Sequence, residues 1–323
     1  MSFLTKLPTN LYDSTAFVSF SLDQGFRIGT AKAMAWLSQL AYETDEPEKI
    51  KSILGTWNLR LVDEVVADEV ATVLPIASTR AFVAAGRGAT FIAFAGTDPL
   101  VLANWVSDFD THLTSTGAAE GYVQAASIVG DQLNRIVTSR PDAEKKLFIT
   151  GHSLGGALAV VTAARLALDP VAGVNAVYTF GMPRPGSGKF GQSYNASIGM
   201  TTYRLVHGDD IVPTVAPTEM GFRHVGRYLH CERRGKFNER NLAADTREDA
   251  PFFIKGEANE IRAFFHSPLS AVSSVAGQLG LAAEMALGRA PPGTRTDVGG
   301  VLIELLPPRI RDHMPDRYCS ALQ

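Results

Sequence analysis

The sequence is poor in three features, each of which would point to a particular class of protein. Its 323 residues include only two cysteines, Cys231 and Cys319, which are too few for a disulfide framework and are predicted to be free thiols, with a single bridge between them left open. Its 30 basic and 33 acidic residues give a net charge of −3, so no basic field points to nucleic acid as a partner. Apolar runs are interrupted before they reach about 20 residues, the length that a membrane-spanning helix needs, so no such helix is predicted.

The amino-terminal segment lacks the succession of basic start, apolar run and small-residue cleavage site that marks a secretory signal. By default we therefore expect a cytoplasmic protein, with export by another route left open. The remaining composition, 46% apolar and 20% charged, is typical of a globular protein with a large core.

Hydrophobic periodicity predicts strands and helices that alternate along most of the chain. Helical patterns lie at 30–42, 48–55, 120–140 and 154–168. Strand patterns lie at 71–76, 81–85, 90–95, 146–150, 174–180, 202–206 and 222–231. Arg87-Gly88, between the second and third of these strands, predicts a tight turn. The alternation predicts an α/β fold built from parallel βαβ units.

One motif with a chemical meaning stands between a strand and a helix. Strand 146–150 leads directly into Gly151-His152-Ser153-Leu154-Gly155-Gly156, and the apolar helix follows at once. In this strand–turn–helix context, G-x-S-x-G is typical of a nucleophilic serine held on a sharp turn. The glycines relieve crowding around the turn. We therefore predict that Ser153 is a nucleophile and that the Leu154 N–H, at the start of the helix, faces a developing oxyanion.

A serine nucleophile needs a base, and the usual chain order on this fold is serine, acid, histidine. That order excludes His112 and His152 as the base, and His152 is instead expected to pack beside the turn. His224 and His230 lie on a predicted strand and are interpreted as structural, which leaves His266 and His313. The acid is expected just past strand 202–206, where both Asp209 and Asp210 are possible.

Four segments, taken together and in order, resemble the class 3 lipases, the fungal-lipase-like branch of the α/β-hydrolases. They are the oxyanion-loop segment Phe94-Ala95-Gly96-Thr97-Asp98, the serine segment 151–156, the acid segment 203–213 that ends in Asp-Ile-Val-Pro, and the histidine segment Asp312-His313-Met314. The similarity extends from about residue 30 to residue 321, with a poor match at 240–305.

The resemblance implies an α/β-hydrolase fold: a single domain over 1–323, with helices on both faces of a mostly parallel sheet and an insertion at about 240–305. It implies Ser153 as nucleophile, Asp210 as acid and His313 as base. It also implies oxyanion donors at Thr97 and Leu154, and no metal or organic cofactor.

The activity that this resemblance implies is the hydrolysis of acylglycerol esters through an acyl-enzyme intermediate. A short-chain esterase or a phospholipase A1 would use the same three residues. A non-catalytic lipid-binding protein is disfavoured because all three residue types are present. The expected partners are a small-molecule ester or lipid and, transiently, a lipid interface; no nucleic acid is expected, and the sequence does not predict the oligomeric state.

Access to the site raises two further expectations. By resemblance, 98–110 is a lid, although a helix packed on the core would show the same pattern. The apolar segment 253–287 is a second candidate cover, for which a core helix within the insertion is the favoured interpretation. Between them the chain has a local basic run, interpreted as a solvated face rather than a site for anionic lipid heads. The run comprises Arg223, Arg227, Arg233, Arg234, Lys236 and Arg240.

Overall fold

A computed structural model describes residues 4–67, 79–97, 112–169, 172–246, 295, 297, 300, 303–304 and 306–323. Several sequence predictions lie outside these residues: the strand at 71–76, the lid at 98–110, the candidate cover at 253–287, and His266 with most of the insertion. They stay predictions.

A seven-stranded sheet forms the centre of the described part of the molecule, in the order β1-β2-β3-β4-β5-β7-β9. Its strands are β1 (Arg60–Ala67), β2 (Thr79–Gly86), β3 (Ala89–Phe94), β4 (Lys146–His152), β5 (Val174–Phe180), β7 (Thr202–His207) and β9 (Arg227–Cys231). Strands β3, β4, β5, β7 and β9 run parallel, whereas β1 and β2 extend the β3 edge in antiparallel fashion. Two short strands, β6 (Gly186–Ser187) and β8 (Phe222–Arg223), pair separately. The predicted mostly parallel sheet is confirmed.

Helices cover both faces of this sheet. They are α1 (Ile28–Leu40), α2 (Pro47–Thr56), α3 (Glu120–Ser139), α4 (Leu154–Leu166), α5 (Gly188–Ser197), α6 (Pro308–Arg311) and α7 (Pro315–Ala321). One apolar cluster joins α3 and α4 to one face, and a second joins α1, α2 and α7 to the other. The two-layered core follows from consecutive apolar residues in the strands, which supply side chains to both sides.

Strand β3 illustrates this double burial. Phe91 and Ala93 belong to the cluster with α1, whereas Ile92 and Phe94 belong to the cluster with α3 and α4. The strand therefore cannot shift by one residue without exchanging its two faces, which fixes its register. Its parallel partner β4 ends at the serine segment, so burial of the strands determines where that segment emerges.

The hairpin between β2 and β3 forms at the predicted turn. Arg87 and Gly88 have φ angles of +53° and +82°. Two consecutive residues with positive φ match the twist of the paired strands and make the tightest hairpin connection.

The single strand predicted at 222–231 is wrong, because the chain turns within it. It forms β8 and β9 with Gly226 between them at φ +77°. A β-carbon on Gly226 would lie 2.6 Å from a methyl carbon of Thr202, so the backbone can pass close to β7 only with glycine at this place. The turn aligns β9 alone with the parallel sheet.

Cys231 and Cys319 are both buried and free, as predicted. Burial raises the pKa of the Cys231 thiol to about 12, so this thiol stays protonated near neutral pH. Among the helices that the structure describes, none has the length and apolar character required to cross a membrane.

Candidate active site

Ser153 occupies a strained turn between β4 and α4. Its φ and ψ angles are +59° and −132°, a region that residues with a β-carbon rarely adopt. Two hydrogen bonds hold the backbone of Ser153 in this conformation. The Ser153 N–H donates to the Phe180 carbonyl at 2.8 Å, and the Gly156 N–H donates to the Ser153 carbonyl at 2.9 Å. Helix α4 begins at the next residue, Leu154.

Glycines allow this turn to pack against its surroundings. A β-carbon on Gly155 would lie 2.5 Å from the Phe94 carbonyl oxygen, at the end of β3. A β-carbon on Gly151 would overlap the backbone of Gly155. Glycine at these two positions therefore relieves crowding around the serine, which is the reason predicted from the sequence.

The structure brings Asp210 and His313 into direct contact. His313 Nδ1 lies 2.8 Å from Asp210 Oδ2, and both side chains are buried. Asp210 follows β7, and His313 lies between α6 and α7. Of the two acids that the sequence left open, Asp210 makes this contact, whereas the exposed Asp209 pairs with Arg233.

Asp210 is held by two further donors. The Val212 N–H donates to Oδ1 at 2.9 Å, and the Tyr318 hydroxyl donates to Oδ2 at 2.6 Å. Burial, reinforced by the negative charge of Asp210, raises the pKa of Tyr318 well above its usual value of 10, so the phenol remains a donor. These contacts hold the buried carboxylate in a fixed orientation towards His313.

Three buried polar atoms at the site have no hydrogen-bond partner among the described residues: Ser153 Oγ, His313 Nε2 and Thr97 Oγ1. Such atoms are rare, because an unsatisfied buried polar group costs about 1–3 kcal/mol. They are also the atoms that the sequence assigns to nucleophile, base and oxyanion donor. Each of these three atoms is therefore available to hydrogen-bond with a reacting group.

The two predicted oxyanion donors belong to two segments that adjoin Ser153. Thr97 ends the described loop after β3, and a β-carbon on the adjacent Gly96 would lie 3.0 Å from the Ser153 β-carbon. Leu154 occupies the first turn of α4, where N–H groups have no acceptor within the helix. The loop and the start of the helix are thus both next to the serine.

His152 packs beside the turn, as predicted, and it also contacts His313. Its Nδ1 lies 2.7 Å from the Tyr42 hydroxyl, and its Nε2 lies 2.6 Å from the His313 carbonyl oxygen. Burial, and secondarily the proximity of His313, lower the pKa of His152 well below 6.5. The neutral ring can donate through Nε2 to the His313 carbonyl while Tyr42 donates to Nδ1, which fixes the backbone of His313.

Sequence reasoning missed two residues that shape the contact between Asp210 and His313. One is Tyr318. The other is Gly181, which has φ +59°; a β-carbon there would lie 2.5 Å from Asp210 Oδ2 and 2.8 Å from His313 Nδ1. A usable signal existed for Gly181, because it directly follows β5 at the carboxyl edge of the sheet.

His224 and His230, interpreted from the sequence as structural, each contact a backbone carbonyl. His224 Nε2 lies 2.8 Å from the Pro213 oxygen and His230 Nε2 lies 2.8 Å from the Gly208 oxygen. Within the ranges that the structure describes, no three His, Cys, Asp or Glu side chains are grouped so that they could hold a metal ion.

A serine on a strand–turn–helix elbow, with an acid after a later strand and a histidine towards the carboxyl terminus, defines the α/β-hydrolase fold. Lipase II from Rhizopus niveus has the same fold, with a TM-score of 0.56, 20% identity and coverage of 73% of this chain and 90% of that chain.

The sequence comparisons point to one family. Residues 91–220 match the family model described as lipase (class 3). A secreted mono- and diacylglycerol lipase of Fusarium solani is 34% identical over 129 residues, which are 38% of this chain and 38% of the relative. A lipase of Rhizomucor miehei is 27% identical over 254 residues, which are 67% of this chain and 63% of the relative. The chain thus spans less than two thirds of these curated relatives.

These comparisons contradict one expectation. The cytoplasmic location expected from the amino-terminal sequence is wrong, because the Fusarium relative is named as a secreted protein. The amino-terminal composition was an insufficient basis for a location.

Proposed function

We propose that this chain is a serine hydrolase that cleaves the ester bonds of acylglycerols. The observation that carries the proposal is the 2.8 Å contact between His313 Nδ1 and Asp210 Oδ2, which leaves His313 Nε2, like Ser153 Oγ, buried and without a hydrogen-bond partner among the described residues. An imidazole anchored by a carboxylate through one nitrogen is oriented to accept a proton through the other.

In the proposed reaction, Ser153 Oγ attacks the ester carbonyl carbon while His313 Nε2 accepts the hydroxyl proton. Asp210 holds the imidazole and stabilises the imidazolium that forms. The tetrahedral oxyanion accepts hydrogen bonds from the Leu154 N–H and from Thr97, each worth about 3 kcal/mol at such sites.

Collapse of this intermediate breaks the ester bond, and the protonated His313 gives its proton to the leaving alcohol. Water then attacks the acyl-enzyme while His313 Nε2 accepts its proton. Collapse of the second tetrahedral intermediate breaks the bond between the acyl carbon and Ser153 Oγ, and His313 returns the proton to that oxygen. The products are a carboxylic acid and an alcohol, and the free serine is regenerated.

The substrate class is supported by the relatives, which are named mono- and diacylglycerol lipase and lipase. On the same ground we place the protein outside the cell. Acylglycerols with long chains aggregate in water, so transient contact with a lipid interface is part of the proposal.

Two variants test this function directly. Ser153→Ala is expected to lower kcat at least about a thousand-fold while the protein stays folded. Ser127→Ala removes an exposed hydroxyl on α3 and serves as the matched control. A fluorophosphonate should label wild type and Ser127→Ala once, on the peptide that contains Ser153. Labelling elsewhere, or more than a few per cent activity in Ser153→Ala, would refute the assignment.

The substrate class is tested with mono-, di- and trioleoylglycerol beside short soluble esters and a phosphatidylcholine. Faster turnover of the oleoylglycerols, with a rate that rises once an interface forms, supports the proposal. A higher rate on short soluble esters would indicate an esterase, and release of the fatty acid from phosphatidylcholine would indicate a phospholipase.

A further inference from the structure

Asp312, the residue directly before His313, is a buried acid that the proposed reaction does not use. Its side chain is 2% exposed. The Arg233 Nε–H is shared between its two carboxylate oxygens, with distances of 2.8 Å and 2.9 Å. The Asp209 N–H donates to Asp312 Oδ2 at 2.9 Å. The carboxylate therefore joins three segments: the histidine segment, the acid loop after β7, and the chain after β9.

The spacing of these contacts places them beside the acid–base pair. Asp209 directly precedes Asp210, and Asp312 directly precedes His313. The contact between Asp312 and Asp209 therefore lies next to the contact between His313 and Asp210, one residue earlier in each segment. Gly208 makes the close approach possible, because its φ is +56° and a β-carbon there would lie 2.5 Å from Asp312 Oδ2.

The backbone of the same segment is held from the opposite side. His207 Nδ1 lies 3.2 Å from the Asp312 carbonyl oxygen, and its Nε2 lies 3.1 Å from the Arg233 carbonyl oxygen. An Arg233 NH2 group also pairs with the Asp209 carboxylate at 2.9 Å. Asp312 is thus fixed through its side chain and its main chain, which leaves His313 little freedom to rotate away from Asp210.

The charge of Asp312 requires compensation at this depth. A buried carboxylate without a partner costs several kcal/mol. In the described part of the chain, Arg233 is the only cation in an ion pair with Asp312, and its own side chain is 38% exposed. A partly exposed arginine therefore neutralises a buried charge next to the base.

We propose that Asp312 and Arg233 are positioning residues of the reaction: their ion pair ties the residue before the base to the residue before the acid and keeps the charge beside His313 balanced. This inference rests on the proposed function. It assigns a role to Arg233, which belongs to the basic run. From the sequence, that run was interpreted as a solvated face.

The test uses the full chain with Arg233→Gln, Asp312→Asn and the double variant. Arg234→Gln, at an exposed neighbouring residue, is the matched control. Each single variant is expected to lower kcat about ten- to a hundred-fold, the range typical of a misplaced reacting group, with little change in KM. Arg234→Gln is expected to keep the wild-type kcat.

The pH profile of kcat/KM separates positioning from simple stability. Without Arg233, the uncompensated Asp312 charge stabilises the protonated imidazole of His313, so the acid limb should move to higher pH. Without the Asp312 charge, Arg233 destabilises the protonated imidazole, and the limb should move to lower pH. The double variant removes both charges and should return the limb to the wild-type position. Among the described residues, the other ionisable groups around His313 and Asp312, which all variants retain, are Asp209, Asp210, His152, His207 and Tyr318.

Some outcomes would overturn the inference. If both single variants lower the melting temperature but keep the wild-type kcat and acid limb, the ion pair is structural only. If Asp312→Asn does not fold, Arg233→Gln and Arg233→Lys decide, because lysine keeps the charge and should restore the acid limb. Failure of the proposed function itself is distinguishable, because wild type would then hydrolyse no ester and take no phosphonate label.

Discussion

The Tyr318 hydroxyl donates to Asp210 Oδ2 at 2.6 Å, and the same oxygen lies 2.8 Å from His313 Nδ1. One carboxylate oxygen thus serves two partners, and the phenol limits the positions that the carboxylate can take. Because burial raises the pKa of Tyr318 well above 10, the phenol stays protonated and remains a donor at neutral pH.

We expect Tyr318→Phe to lower kcat about ten-fold, with KM nearly unchanged, and to destabilise the protein. A hydrogen bond to a charged group contributes about 1.5–3 kcal/mol. The matched control is Tyr194→Phe, which removes an equally buried hydroxyl that contacts Thr202 Oγ1 at 2.8 Å, away from the site. Steady-state kinetics and urea unfolding of both variants provide the measurement. Equal kcat in the two variants would contradict the assigned role of Tyr318.

Gly181 offers a test of how tightly the acid–base pair is packed. In Gly181→Ala the added methyl group would press on Asp210 and His313, and we expect activity to fall about a hundred-fold or more. Gly221→Ala is the control: its φ is +86°, but a β-carbon there meets nothing within 4 Å. Both variants carry the same left-handed penalty of about 1 kcal/mol. A loss of activity in both, measured on folded protein, would show that strain alone is responsible.

Stability should fall on acidification below pH 6.5. Burial lowers the pKa of His152 and of His224 well below this value, so the folded state binds fewer protons than the unfolded state. The contribution of each histidine is therefore complete above pH 6.5 and is lost as pH falls, at up to about 1.4 kcal/mol per pH unit.

Urea unfolding at pH 7.5, 6.5 and 5.5 checks this expectation. His224→Gln should reduce the slope of stability against pH, whereas Ile92→Val, a buried change without charge, should lower stability by about 1 kcal/mol at every pH. An unchanged slope in His224→Gln would contradict the assignment of the effect to that ring.

The parts of the site that could be predicted from the sequence are those encoded within a few residues. Strand β4, the glycines around Ser153 and helix α4 form one continuous segment, and each constraint acts on its neighbours in the chain. Order along the chain and the structural interpretation of His224 and His230 left two candidates for the base, and the position just past a predicted strand left two for the acid. The resemblance then selected Asp210 and His313, the two residues that the structure places in contact.

Other features depend on contacts between distant residues and had no sequence signal. Tyr318 and Asp210 are 108 positions apart, and Arg233 and Asp312 are 79 apart.

Strand β1 was missed for a local reason. Asp63 and Glu64 are adjacent polar residues, and an irregularity in pairing between Leu61 and Asp63 breaks the alternation of period two that would have indicated a strand.

The backbone of Ser153 has an energetic consequence for the whole molecule. A residue with a β-carbon at φ +59° and ψ −132° raises the energy of the folded state by about 1–3 kcal/mol, and glycine would avoid most of that increase. Selection for stability alone would therefore replace the serine with glycine. If the protein works as proposed, each folded copy retains this destabilising residue because its hydroxyl is needed, and thermal tolerance and turnover oppose each other at this one position.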